Sequence, residues 1–222
     1  MKTLLIILLV ILGLSAFSQR IDTVKVLSEI RNDIKNNKRT STDILTDSNY
    51  MSLHPLTAFR QVIKENAPLK YSRLTNKDEP GIVLWVEGTI TDEYNHPLSN
   101  VLVYVYHTDN KGWYGLNGTH VLEYEGDRRH ARLFGYVRTD ANGKFELQTI
   151  RPQGYPGSEL PAHIHCEAGN SNKTLITEFL FNDDSRLTTT MRKRMEAEGN
   201  LFSDVITANN GSQKISYRIT LK

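Results

Sequence analysis

Gly81-Ile82-Val83-Leu84-Trp85-Val86-Glu87-Gly88-Thr89-Ile90-Thr91-Asp92 marks the point where the chain changes character. Val86, Gly88 and Ile90 alternate with polar residues, and Asp92-Glu93-Tyr94-Asn95 ends the run with turn-forming types. Alternation with period two puts successive side chains on opposite faces of a strand. Working outward, the same texture recurs at 101–107, 134–139, 144–150, 162–167, 175–181 and 215–221. Asp140-Ala141-Asn142-Gly143 and Asn209-Asn210-Gly211 supply further turns. Short strands with frequent turns, and no helices alternating with them, predict a mainly β fold, a β-sandwich over residues 81–222.

Residues 19–80 lack this alternation and predict an N-terminal helical arm. Leu27, Ile30 and Ile34 fall at i, i+3 and i+7; Leu56, Phe59, Val62 and Ile63 mark a second helix ending before Pro68. Residues 36–49, rich in Asn, Lys, Thr, Ser and Asp, read as a loop or linker. Such an arm can pack on the sandwich, pair two protomers as a homodimer, or act as a tether. The charged stretch 185–198 predicts one helix inserted between late strands.

Residues 1–18 read as a signal peptide. Lys2 is followed by unbroken Leu, Ile and Val from Leu4 to Leu12, and Ser15-Ala16-Phe17-Ser18 offers a cleavage site before Gln19. The run is shorter than the ~20 residues that span a bilayer. The expectation is a secreted or periplasmic protein with no membrane segment in its mature form; an uncleaved anchor is the other reading.

Composition narrows the function classes. With 222 residues, 39% hydrophobic and 23% charged, the chain suits one globular domain with a small appendage. A formal charge of +2 gives no footprint for nucleic acid or an anionic membrane. One cysteine, Cys166, excludes an intrachain disulfide framework and a zinc–thiolate cluster. Cys166 reads as core.

His163-Ile164-His165 is the sharpest chemical feature. On a strand the two imidazoles share a face, while Ile164 points the other way. Paired imidazoles on a rigid face make a ready metal site, although H-x-H alone also describes two surface histidines. Tyr155 sits between Pro152 and Pro156, which stiffen its loop. Alone, it reads as a packing aromatic as well as a ligand. Tyr114, after Asp109-Asn110-Lys111-Gly112-Trp113, reads alone as part of a turn with an exposed aromatic pair. Asp183-Asp184 reads as a strand-end turn.

Taken in order, these segments resemble the intradiol ring-cleavage dioxygenases, such as the catechol and protocatechuate 3,4-dioxygenases. The resemblance runs through Val86–Asp92 with His96-Pro97-Leu98, then Val103-Tyr104-Val105-Tyr106-His107-Thr108-Asp109 to Tyr114. It continues through Phe134-Gly135-Tyr136-Val137-Arg138 to Tyr155-Pro156, and through Pro161-Ala162-His163-Ile164-His165 to Leu175–Phe181. It covers about 100 residues. The resemblance implies a non-haem Fe(III) held by Tyr114, Tyr155, His163 and His165. It implies a catechol-like aromatic and O2 as substrates, with both oxygen atoms entering a cis,cis-muconate type product. It also implies that Tyr155 leaves the metal and accepts a proton from the catechol, while Tyr114 stays bound. Two histidines with one carboxylate, the other common iron set, are not expected here.

Two positions depart from the family pattern. Leu160 stands where the family carries an arginine, a loss expected to cost roughly 10²-fold in rate. Glu178 stands where the family carries a glutamine, and its charge would repel a dianionic substrate unless protonated or paired. Arg151 or Arg138 are the candidates to compensate. The rival readings are a non-catalytic binding module, transthyretin-like or carboxypeptidase-regulatory-like, and an iron binder on the dioxygenase fold that has lost activity. The first lacks the Tyr and His set; the second is kept open by Leu160 and Glu178.

Overall fold

A computed structural model describes residues 22–115, 131–171 and 173–222. The proposed signal peptide lies outside these residues.

Two five-stranded sheets face each other. The first has the order β1 (Tyr71–Arg73), β5 (Lys144–Ile150), β2 (Val83–Thr91), β10 (Gln213–Thr220) and β9 (Ile206–Thr207). The second has the order β4 (Leu133–Arg138), β3 (Leu102–His107), β6 (His163–Gly169), β7 (Thr174–Phe181) and β8 (Leu201–Ser203). Each of the seven expected strands is present, within one or two residues at most ends. The three that alternation does not reveal, β1, β8 and β9, are two or three residues long, too short for a period to repeat.

The inward residues of both sheets form the main core. Val86 and Ile90 of β2, with Ile215 and Ile219 of β10, meet Val103 and Val105 of β3, Ile164 and Cys166 of β6, and Phe179 and Phe181 of β7. Phe179 stacks on Tyr217 across the layers, centroids 4.2 Å apart. Ile164 and Cys166 are buried, so their neighbours His163 and His165 take the outer face of the second sheet.

The N-terminal segment covers part of that outer face. Helices α1 (Thr23–Lys35), α2 (Ser41–Leu45) and α3 (Thr57–Glu65) bury Leu27, Ile30, Ile44, Leu45, Phe59, Val62 and Ile63 in a second core. There they join Tyr106, Tyr114, Phe134 and Tyr136. Residues 36–49 are a correction: they contain α2 and the start of a 3₁₀ helix, Ser48–Leu53. Thr40 and Asp43 form a capping box that satisfies the α2 start. Five residues are too few to show helical periodicity, and burial of Ile44 and Leu45 stabilises the helix instead. Further on, the Lys70 N–H donates to the Arg138 carbonyl and the Lys70 carbonyl accepts from Glu146. This closes one edge between the sheets. In the late insertion, α4 (Thr189–Ala197) starts on a Thr188 side-chain cap.

Two buried histidines make this fold acid-sensitive. His107 is fully buried, with Nδ1 2.6 Å from the Thr108 carbonyl and Nε2 2.7 Å from Thr149 Oγ1. His54 lies between the carbonyls of Arg132 and Leu45. Burial, ahead of nearby arginine charge, pushes both imidazoles down to about 4. The unfolded histidines titrate near 6.5, so between 6.5 and 4 the unfolded chain binds protons that the fold does not. The resulting stability is complete above pH 6.5 and is lost as pH falls towards 4, on the order of 3 kcal/mol per histidine. Urea midpoints across that window should fall steeply. The His107→Gln variant should show a shallower fall; equal slopes would contradict the assignment.

Candidate metal centre

Tyr114, Tyr155, His163 and His165 converge at one end of the second sheet's outer face. The two phenol oxygens lie 2.6 Å apart. Tyr114 Oη is 2.9 Å from His165 Nε2, and Tyr155 Oη is 3.1 Å from His163 Nε2 and 3.5 Å from His165 Nε2. Donors at right angles about an ion with bonds of about 2.1 Å stand about 3 Å apart. These four atoms therefore have the spacing of a shared coordination sphere.

Each donor is aimed by its surroundings. The His163 Nδ1–H donates to the Pro161 carbonyl at 2.9 Å, which leaves the Nε2 lone pair facing the tyrosines. His165 stacks on Tyr106, centroids 4.4 Å apart and 12° from parallel. Tyr106 stands directly opposite it on β3.

The tyrosines come from two loops laced together. Asp109 Oδ1 accepts the N–H groups of Lys111 and Trp113, and the Asp109 N–H donates to the Trp113 carbonyl. The Arg132 N–H donates to the Tyr114 carbonyl, and the Arg132 guanidinium grips Glu79 and Asp109. Thr108 Oγ1 donates to the Gln153 carbonyl, and the Gln153 N–H returns a bond to the Asp109 carbonyl. Gly112, at φ +84°, lies so near the second loop that an added Cβ would stand 2.4 Å from the Gly154 carbonyl oxygen. Only glycine permits that approach.

A third segment holds the loop from Tyr155 to His163. Asp184 Oδ2 accepts the Ala162 N–H at 2.8 Å, and Arg186 Nη1 lies 3.3 Å from the Tyr155 carbonyl and 3.4 Å from the Leu160 carbonyl. Asp184 is thus more than a turn residue. Arg186 has no local sequence mark, because its partners lie 26 and 31 residues away. The proposed compensators for Leu160 are engaged elsewhere, which corrects that expectation. Arg151 pairs with Asp183 and Gln213, and Arg138 bonds to Asn100. Arg186 instead contacts the Leu160 backbone carbonyl.

Register also places a carboxylate beside the histidines. Strand β7 pairs antiparallel with β6 so that Glu178 faces His165. Glu178 Oε1 lies 3.3 Å from His165 Nδ1 and 4.0 Å from His163 Nε2. The three residues offer ligand atoms within 4.8 Å of one another.

The donor chemistry favours a hard, highly charged cation. Burial pushes the Tyr114 phenol far above its usual range, reinforced by Tyr155 beside it. Burial also raises Tyr155. Ionising both phenols so close together requires a multivalent positive charge between them. Two tyrosines and two histidines therefore fit Fe(III) better than a soft or weakly charged ion.

On this two-sheet fold, two phenols and two imidazoles form a site suited to a non-haem metal ion. The chain belongs to the intradiol dioxygenase family: the family model described as Dioxygenase matches residues 61–222. Catechol 1,2-dioxygenase 1 of Acinetobacter lwoffii is 26% identical over 132 residues, covering 58% of this chain and 41% of that protein. Hydroxyquinol 1,2-dioxygenase of Corynebacterium glutamicum is 33% identical over 124 residues, covering 48% and 38%. This chain therefore spans about two fifths of the length of these relatives. Among solved structures, the dioxygenase domain of a dioxygenase carbohydrate-binding protein fusion from Streptomyces sp. SirexAA-E superposes with a TM-score of 0.55. It is 26% identical and covers 72% of this chain and 91% of that one. An intradiol ring-cleavage dioxygenase from Tetranychus urticae shares the fold, with a TM-score of 0.54, 18% identity, and 70% and 87% coverage.

Proposed function

We propose that this protein is an exported, Fe(III)-dependent intradiol dioxygenase that cleaves a catechol-like aromatic between its two hydroxyl-bearing carbons, using O2. The observation that carries the reading is the convergence of the Tyr114 and Tyr155 phenols with the His163 and His165 imidazoles at 2.6–3.5 Å. Family membership supports the reaction class, and the leader-like residues 1–18 support export.

Fe(III) held by Tyr114, Tyr155, His163 and His165 would supply Lewis acidity that makes a bound catechol reactive towards O2. The chain contributes placement and proton transfer. Tyr155 Oη is the proton acceptor for one catechol hydroxyl; it is partly exposed and touches both histidines and Tyr114. Tyr114, 6% exposed and enclosed by Tyr106 and the second core, would be the ligand that stays in place. His163, held by Pro161, and His165, held by Tyr106, keep the imidazoles in place as Tyr155 moves. The Leu160 side chain offers no positive charge where the family has one, so turnover is expected to be slow beside typical members.

The test is a visible spectrum of iron-loaded protein before and after anaerobic addition of catechol. Tyrosinate-to-Fe(III) charge transfer should colour the resting protein red-brown, and chelation should move the band to longer wavelength. Admitting O2 should then yield a muconate-type diacid. An iron-replete, colourless sample would overturn the metal assignment. A coloured sample that binds catechol without cleaving it would leave the inactive iron binder as the better description.

A further inference from the structure

We infer that Glu178 is a positioning residue that acts on the metal through His165, forming a carboxylate–histidine–metal chain. The inference rests on the iron site proposed above and concerns how that site is tuned. His165 presents Nε2 to the two tyrosines, at 2.9 and 3.5 Å from their oxygens. Its other nitrogen, Nδ1, lies 3.3 Å from Glu178 Oε1. With Nε2 given to the metal, the proton of a neutral ring sits on Nδ1, on the side of the carboxylate.

The backbone that carries the carboxylate is fixed in place. Glu178 faces His165 in the β6–β7 register, so both side chains leave the same face at the same level. Its N–H donates to Asn200 Oδ1 at 3.1 Å, and neighbouring Thr177 Oγ1 donates to the Gly199 carbonyl at 2.9 Å. The turn before β8 thus anchors the backbone that carries Glu178. The opposite flank of the His165 ring is fixed by the Tyr106 stack. Position, not only charge, marks Glu178 as His165's partner: its 4.0 Å separation from His163 Nε2 is the longer of the two.

A charged acceptor behind an imidazole makes it a stronger donor and fixes its ring. At this centre the stronger donor lowers the Lewis acidity of Fe(III) and tightens its retention. Removing the charge should therefore release iron more readily and move tyrosinate-to-Fe(III) charge transfer to lower energy.

The experiment compares the parent protein with Glu178→Gln and Glu178→Ala, each loaded with Fe(III). Iron affinity, measured by chelator competition, should fall about 10- to 100-fold in Glu178→Ala. The charge-transfer band of the resting protein should move to longer wavelength. Glu178→Gln keeps an acceptor oxygen without the charge and should fall between parent and Ala in both readouts. Urea midpoints of the metal-free proteins report folding separately. If the parent shows the tyrosinate band and both variants match it in band position and iron retention, the inference fails while the iron site stands. If the parent lacks the band, the proposed site fails first. A band that moves to shorter wavelength in the variants would also overturn the inference.

Discussion

A protein carrying Tyr155→Phe together with His163→Ala should lose the capacity to hold the Fe(III) proposed above. Structural zinc centres with four protein donors are worth about 10–16 kcal/mol at neutral pH, which sets the scale for a four-donor site. Deleting two donors forfeits up to half of that, and water refills part of the loss. The expected fall in affinity is about 10⁴-fold, read as the chelator concentration that strips half the metal. The fold should survive, because both side chains lie outside the main core of Val103, Val105, Ile164, Cys166 and Phe179. A folded double variant with the parent's iron retention would show that these residues do not hold the metal.

The second large effect is expected at Arg132. Its guanidinium is 10% exposed and bonds to Glu79 at 2.8 and 2.6 Å and to Asp109 at 3.2 Å; the two acidic side chains are 6% and 8% exposed. Arg132→Ala leaves two buried carboxylates with no cation between them, at a cost of about 3–5 kcal/mol. For a chain of this size that lowers Tm by about 10 °C. The damage should reach the metal centre, because Asp109 organises the turn before Tyr114 and the Arg132 N–H bonds the Tyr114 carbonyl. Combining Arg132→Met with Glu79→Gln should recover part of the loss by removing a stranded charge. A single Arg132→Ala variant that melts with the parent would refute the account.

Legibility in the sequence followed the range of the interactions. Long alternating runs such as residues 82–90 and 101–107 disclose strands because the period repeats several times within one segment. His163 and His165 are legible as a pair for the same reason: two residues apart on a strand means one face. Tyr114 and Tyr155 meet only through tertiary packing and were legible by family resemblance alone. α2 is too short for its periodicity to show, although Thr40-Ser41-Thr42-Asp43 carries the marks of a capped helix start. The partnership of Glu178 with His165 needs the β6–β7 register, and Arg186's place at Leu160 needs a contact across 26 residues. Neither leaves a local pattern, and the arginines that the sequence offers instead, Arg151 and Arg138, are engaged elsewhere by the fold.

The lacing of the two tyrosine loops limits how the site can open. Thr108 with Gln153, Gln153 with Asp109, and the Gly112–Gly154 approach join the backbones, while Arg186 meets the Tyr155 carbonyl from the far side. These restraints act on the main chain and leave the Tyr155 phenol outside them. A Tyr155 that gives way to substrate would thus behave as a crank on a fixed bearing, turning about Cα–Cβ and Cβ–Cγ. Return to the metal would then require no loop to refold, and the restored geometry would be the same at every turnover.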